Sequence, residues 1–331
     1  MSEQSITVAG AGILGLWQAL TLAKVGHKVR LMEASCAPFV NAASRWAGAM
    51  LAPDCESESA PPVVRDLGRA AIGLWRSAYP GIVENGTLVV ASARDQSELQ
   101  RFARATEKHR NLDESDIADL EPDLGGRFQS GLYFVDEAHF NALAALGYLL
   151  EEVRRAGVTI ELGQEWKVPH GEIVIDCRGF AARDDVNDLR GVRGERLIVR
   201  SKEVSLRRPV RLLHPRQPIY VVPQGDGRFV VGATVVERED DAPMTVRSAL
   251  ELLGSAYALH PAFAEAEVLD MGAGVRPAYP DNVPRIEIES DGRLIRVNGA
   301  YRHGFLLAPI LAGAVAEYLA NGERVHPLIR K

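Results

Sequence analysis

A short β-prone run ends in the turn Gly10-Ala-Gly12-Ile-Leu-Gly15, a helical pattern follows it, and an acid, Glu33, closes the next alternating run. Much later, strand-rich sequence dominates from 192 to 236 around the turn segment Gln224-Gly-Asp-Gly227. Together these observations predict an α/β chain. One domain is Rossmann-like and binds a dinucleotide; the other has α+β character and is discontinuous, with a mainly antiparallel β-sheet.

The first thirty-odd residues carry the sharpest signal. A strand over 5–8 leads into the glycines, Leu16, Ala19, Leu20 and Ala23 recur at helical spacing up to Gly26, and 28–32 alternates as a second strand. Gly10 permits the tight turn, Gly12 lets a pyrophosphate approach the backbone, and Gly15 allows the helix to pack closely on the strand. Ile13 and Leu14 open that helix, whose unpaired N–H groups and positive dipole end face the phosphates. Glu33, followed by Ala34, stands 18 residues after Gly15, where a carboxylate can accept hydrogen bonds from both ribose hydroxyls of an adenosine. Its charge repels a 2′-phosphate, which disfavours NADP.

Beyond this unit, a small-residue loop at 41–53 precedes a helix over 63–78, a strand over 86–92, a helix over 95–108 and a strand over 131–135. A helix over 139–156, closed by Gly157, leads to a strand over 158–162, and 173–176 reads as a fully apolar strand with Gly179 behind it. A helix over 245–260, strand-like sequence over 286–297 and a closing helix over 305–320 complete the chain. The chain is expected to leave its nucleotide domain, build the β-rich domain and return. The dinucleotide domain then comprises 1–80, 138–190 and 285–331, and the second domain 81–137 and 191–284.

Length and composition agree with this organisation. At the usual ~150 residues per domain, 331 residues make about two. The 47% hydrophobic and 25% charged content is that of a globular chain. The net charge of -6 comes without a basic block, so nucleic acid is not an expected partner. Cys36, Cys55 and Cys177 are an odd set at irregular spacing, which fits reduced thiols in a cytoplasmic protein. His139, His214, His260 and His303 lack ligand spacing, so no metal site is expected. The N-terminus has no basic stretch before its apolar run, and FLLAPILAGAVA is too short to span a bilayer and contains Pro309, so no membrane span is expected.

Five further segments are specific in combination. IVIDCRGF resembles the second dinucleotide motif of the D-amino acid oxidase superfamily of FAD-dependent oxidoreductases. GVRPAYPDNVPRI, NGAYRHGFLLAP, YVVPQGDGRFVVGATVVE and ASRWAGAMLAP resemble its glycine oxidase branch, which supplies an imine for the thiazole ring of thiamine. The resemblance runs through nearly the whole chain. It implies noncovalent FAD, with Gly179 at the second motif, Ala43, Ser44, Gly48, Ala49 and Met50 beside the flavin, Trp166 near the adenine, and Ala300, Tyr301, Arg302, His303, Gly304, Phe305 and Leu306 at the pyrimidine end. It also implies that Arg276 holds the substrate carboxylate, that Tyr220 helps to fix it and closes the site to water, and that Arg302 belongs to the closing loop near substrate and flavin. Chemistry agrees: Arg276 is a permanently charged planar fork suited to a carboxylate, and Pro277 restricts the backbone beside it. The N-terminus of the closing helix would stabilise the negative charge that develops on a reduced flavin. Three departures from the family pattern stand out: Ala49 precedes Met50 where glycine is usual, Arg45-Trp46 is bulky, and Trp166 replaces a common valine.

The implied reaction is oxidation of a small amino acid, glycine or similar, to an imine and then an oxo acid and ammonia, with oxygen reduced to hydrogen peroxide. A dehydrogenase passing electrons to a quinone or other carrier shares the fold and the half-reaction. A flavin-binding module without turnover and the oxidase module of an RNA-modifying enzyme share its motifs, although the acidic balance speaks against RNA. Oligomeric state stays open, a homo-oligomer included.

Overall fold

The structure is a computed structural model and describes residues 4–166, 172–289 and 291–330. Its first sheet has seven strands in the order Ile329–Arg330, Arg285–Ile288, Leu294–Asn298, Ile173–Asp176, Ser5–Ala9, Lys28–Glu33 and Thr159–Leu162. From Leu294–Asn298 to Thr159–Leu162 every neighbour is parallel, with Ile6 paired to both Val29 and Ile173. Parallel strands need covered faces, and Ile6, Val8, Leu31 and Ile175 are fully buried accordingly. The helices Ile13–Lys24, Ala142–Arg155 and Gly304–Asn321 pack together in the same apolar core. Because the chain departs from Ser5–Ala9 to neighbours on both sides, a crevice opens at the carboxyl ends of the central strands.

The second sheet has eight strands in the order Glu267–Ala278, Arg190–Arg200, Arg228–Gly232, Ile219–Pro223, Val210–Leu213, Thr87–Ala91, Ser130–Phe134 and Arg110–Asp113. It is antiparallel throughout except between Val210–Leu213 and Thr87–Ala91. The expected hairpin is present, with Val222 opposite Val230 across the turn at 224–227.

Several elements differ from the sequence expectation. The strand-like stretch 286–297 is a hairpin, Arg285–Ile288 against Leu294–Asn298, turned where the Gly292 N–H donates to Glu289 O at 2.9 Å. The helix expected from 139 starts at Ala142, because Asn141 accepts from the Ala144 N–H and His139 instead pairs with Met50 in a two-stranded ribbon. The short helix Glu114–Leu120 escaped the hydrophobic pattern, although Asp113 and Asp116 form a capping box at its start. The strand Glu267–Ala278 was hidden by Gly272 and Gly274, which interrupt its β-like residues.

The closing helix Gly304–Asn321 has 18 residues and is long and apolar enough to cross a bilayer by length and composition, which corrects the shorter estimate; half of it is buried inside the protein. Pro309, buried within it, has no N–H to offer the carbonyl of Phe305 four residues earlier. The indole N–H of Trp75, from the helix Pro62–Ala78, donates to that carbonyl instead at 2.7 Å. Trp75 is fully buried, with ring centroids 5.0 Å from Trp17 and 4.6 Å from Phe140.

A second buried polar group lies at the ribbon. Glu137 Oε1 accepts from the Cys55 N–H at 2.6 Å, and burial pushes its carboxyl up to about 8.

Two outcomes are expected. Trp75→Phe keeps an aromatic ring but strands a buried carbonyl, costing about 1–3 kcal/mol. Urea unfolding should show a smaller loss in a Pro309→Ala background, where residue 309 regains an N–H; additive losses would mean that Trp75 acts by packing alone. For Glu137, a folded-state value above that of the unfolded carboxyl makes its contribution complete at acid pH and lost as pH rises through about 8. Glu137→Gln should therefore gain urea resistance over the parent between pH 5 and 8.5, and an unchanged difference at the two pH values would contradict this.

Candidate active site

A cavity of about 360 Å³ runs from the glycine turn to the second sheet. Of the residues expected at the cofactor, Gly10, Gly12, Ile13, Leu14, Glu33, Ala34, Ala43, Ser44, Gly48, Ala49, Met50, Trp166, Gly179, Ala300, Tyr301, Arg302, Gly304 and Phe305 line it. Tyr220 and Arg276 line it too. Gly15, His303 and Leu306 do not. A Cβ on Gly15 would lie 1.7 Å from Gly10 O, so this glycine serves the contact between helix and turn. Leu306 turns away onto the helix Pro62–Ala78, where a Cβ on Gly68 would meet its Cδ2 at 2.7 Å. His303 is buried beneath the lining, with Nδ1 3.2 Å from Glu56 Oε2.

At the nucleotide end, Gly10 has φ +95°, and a Cβ there would lie 2.7 Å from Cys177 O, so both the conformation and the space exclude a side chain. Gly12 precedes the helix Ile13–Lys24, which has no side-chain cap and no acid in its first turn. Glu33 holds the turn from the next strand: Oε2 accepts from the Ala11 N–H at 2.8 Å and Oε1 from the Ser35 N–H at 3.1 Å. About half of the carboxylate's four lone-pair sites stay free for further donors. Arg178, which motif reading did not single out, lies 4.2 Å from the Trp166 ring centroid and is gripped by Asp176 at 2.8 Å.

At the other end, Tyr220 and Arg276 reach the same cavity from strands of the second sheet that Arg190–Arg200 and Arg228–Gly232 separate. Tyr220 stands opposite Gly232, and its ring fills the space where a Cβ on Gly232 or Gly48 would come within 2.6 or 2.7 Å. The Arg276 guanidinium lies over Gly194, where a Cβ would be 2.1 Å from Cζ. Nη1 of Arg276 donates to Thr234 O at 3.2 Å, and Arg276 makes no ion pair among the described residues. Burial works against its charge and depresses its pKa, an effect a bound anion would oppose.

Sequence reading missed Glu56 and Arg211 and noted Trp46 only as a bulky departure from the family pattern; all three are in the lining. Glu56 Oε1 lies 3.2 Å from Arg302 Nη2. Burial alone would raise its carboxyl, but the nearby Arg302 and His303 side chains hold it well below the usual range. The Trp46 indole covers Gly272 and Gly274, where added Cβ atoms would fall 2.2 and 2.7 Å from it, and the Arg196 guanidinium sits 4.9 Å from its centroid. Those two glycines were the available signal for a flat partner. Ala49 and Tyr301 adopt φ of +52° and +48°, left-handed conformations beside the cavity. At Ala49 this is a conformation that glycine adopts more readily than alanine. Cys55 and Cys177 also line the cavity, and burial raises both thiols and keeps them protonated, hence poor nucleophiles.

The closing helix likewise begins without a side-chain cap, and its first residues, Gly304 and Phe305, line the cavity. Two uncapped helix N-termini thus face one chamber, offering N–H donors and positive dipole ends to a ligand with anionic or electron-rich oxygens.

Known proteins share this architecture. A Rhizobium etli protein provisionally named thiamine biosynthesis oxidoreductase ThiO is 54% identical over 319 residues, 95% of this chain and 96% of its own. A Geobacillus kaustophilus protein named glycine oxidase is 25% identical, with 98% of this chain and 94% of its own covered. The crystal structure of glycine oxidase from Geobacillus kaustophilus superposes with a TM-score of 0.83 at 22% identity, covering 98% of this chain and 97% of that one, which is a likeness of fold. The family model described as FAD dependent oxidoreductase matches residues 5–318, so the chain belongs to that family, its cofactor is FAD, and the expectation drawn from its motifs holds.

Proposed function

We propose that this protein oxidises a small α-amino acid, glycine or one close to it in size, to the imine, which water converts to the oxo acid and ammonia. The observation that carries the reading is Arg276, a cavity-facing guanidinium over Gly194 with no ion pair among the described residues. A buried fork of this kind is suited to a carboxylate. The bulk of Tyr220 and Trp46 beside it favours a small side chain on the substrate. When bound, FAD would supply the two-electron acceptor for the hydride of the α-carbon once the amine has given up a proton, and oxygen would take up the two electrons with two protons as hydrogen peroxide. The relative provisionally named ThiO supports a role for the imine in thiamine synthesis.

The chain's own residues fit that cofactor. The glycine turn and the uncapped helix Ile13–Lys24 would hold the pyrophosphate, with a Cβ on Gly12 meeting nothing nearer than 3.7 Å. Glu33 would take the adenosine ribose on its free lone pairs, and Gly304 and Phe305 would donate to the pyrimidine oxygens. Arg276 and Tyr220 would orient the substrate so that its α-carbon faces the acceptor, and Tyr220 and Trp46 would exclude water. We assign 1–80, 138–190 and 285–331 to the cofactor domain and 81–137 and 191–284 to the substrate domain, and place the protein in the cytoplasm.

Arg276→Ala should abolish amino acid turnover while leaving the bound flavin spectrum nearly intact. Losing a buried charge-assisted pair costs about 3–5 kcal/mol, or two to four decades in kcat/KM. Arg276→Lys should restore little, since an ammonium cannot reproduce the fork. A small amine without a carboxylate is the control, and its slow oxidation should be nearly indifferent. Equal losses for amine and glycine would make Arg276 structural.

Acid precipitation should release the flavin into the supernatant. Glu33→Ala should weaken FAD more than FMN, which lacks the adenosine ribose; equal weakening would place Glu33 elsewhere. Assaying one amino acid panel with oxygen and with a dye acceptor separates an oxidase from a dehydrogenase by which of them supports turnover.

A further inference from the structure

Glu56 belongs to the short helix Cys55–Glu58, whose Cys55 N–H is held by Glu137 at 2.6 Å. Its side chain is 18% exposed and lines the substrate half of the cavity. One carboxylate oxygen meets Arg302 and the other His303, each at 3.2 Å, which leaves about half of its lone-pair sites free. Glu33 and Glu56 are the acids among the described lining residues, and Glu33 sits at the nucleotide end.

The charges around the substrate half are unevenly matched. Arg211 is paired with Glu58 at 3.3 Å and Arg302 with Glu56, whereas Arg276 faces the cavity without an ion pair among the described residues. A bare carboxylate ligand would satisfy Arg276 and ask nothing of Glu56. An amino acid brings a second charge, an ammonium one carbon away from its carboxylate, and a buried ammonium without an anion is strongly disfavoured. Glu56 is the anion on that side.

We propose that Glu56 accepts the substrate's ammonium group on its free lone pairs, so that Arg276 and Glu56 together select α-amino acids over carboxylates and hydroxy acids. This rests on the reading above that Arg276 takes the substrate carboxylate. In it, Glu56 has two tasks: it fixes Arg302 and His303 at the start of the closing helix, and it reads the charge of the amine.

The two tasks separate experimentally. With FAD-loaded protein, acetate binding is followed by perturbation of the flavin spectrum, and glycine binding by the concentration dependence of anaerobic flavin reduction. Glu56→Gln keeps the shape of the side chain and an oxygen for Arg302 while removing the charge. Glycine's apparent dissociation constant should rise tenfold or more, and that of acetate should stay within twofold or fall. Parallel weakening of both ligands overturns the proposal, because Glu56 would then act only by holding Arg302. Should Glu56→Gln lose its flavin, Glu56→Asp supplies the same ratio: glycine weakened relative to acetate supports the assignment, and equal weakening overturns it. If neither ligand affects the flavin of the unaltered protein, the amino acid reading itself fails and this proposal with it, a result that needs no variant and so is told apart.

Discussion

A side chain at position 10 or 15 would occupy space that backbone already fills, 2.7 Å from Cys177 O in one case and 1.7 Å from Gly10 O in the other. This approach of a turn, a helix and a neighbouring strand brings the uncapped start of Ile13–Lys24 up to the crevice between Ser5–Ala9 and Ile173–Asp176. Glu33 then locks the turn from the adjacent strand through the Ala11 N–H. Without that close passage the helix would stand off the sheet, and its N–H donors would point past the ligand rather than at it.

A similar use of small residues shapes the far end of the chamber. Gly194, Gly232, Gly272 and Gly274 lie in strands of the second sheet, and the space their missing side chains leave is taken by Arg276, Tyr220 and Trp46. Large polar and aromatic groups are thereby laid flat against backbone, where few rotamers are open to them. That is how a β-sheet can hold a charged fork in a fixed direction while keeping it away from solvent. The Tyr301 and Ala49 backbones, both left-handed, bring the two remaining walls into contact with the same chamber.

The supports of the site are themselves buried polar contacts, so the stability of the fold and the shape of the site are linked. Trp75 completes the first turn of the closing helix by bonding Phe305 O, and Phe305 is also a wall of the cavity. Glu137 holds the Cys55 N–H and so steadies the turn that carries Glu56. Leaving either polar group unpaired in so dry a place would cost more than the bond itself is worth in water.

By itself, the sequence determined what depends on local chemistry. The strand–glycine–helix–strand unit, the acid after it, the hairpin at 224–227 and the apolar strand before Gly179 follow from periodicity and from residues with narrow conformational roles. The Arg276 segment was singled out for another reason, the resemblance of GVRPAYPDNVPRI to a family motif, and Arg276 and Pro277 both line the cavity. Tertiary structure alone decided the remainder. Glu56 meets Arg302, Trp75 meets Phe305, Trp46 covers two distant glycines, and Arg178 bends back over Trp166. None of these pairs has a spacing that a helix or a strand would impose. Whether a lone Glu or Trp becomes a solvated surface group or a buried partner depends on which remote segment the chain folds against it, and that is a property of packing rather than of pattern.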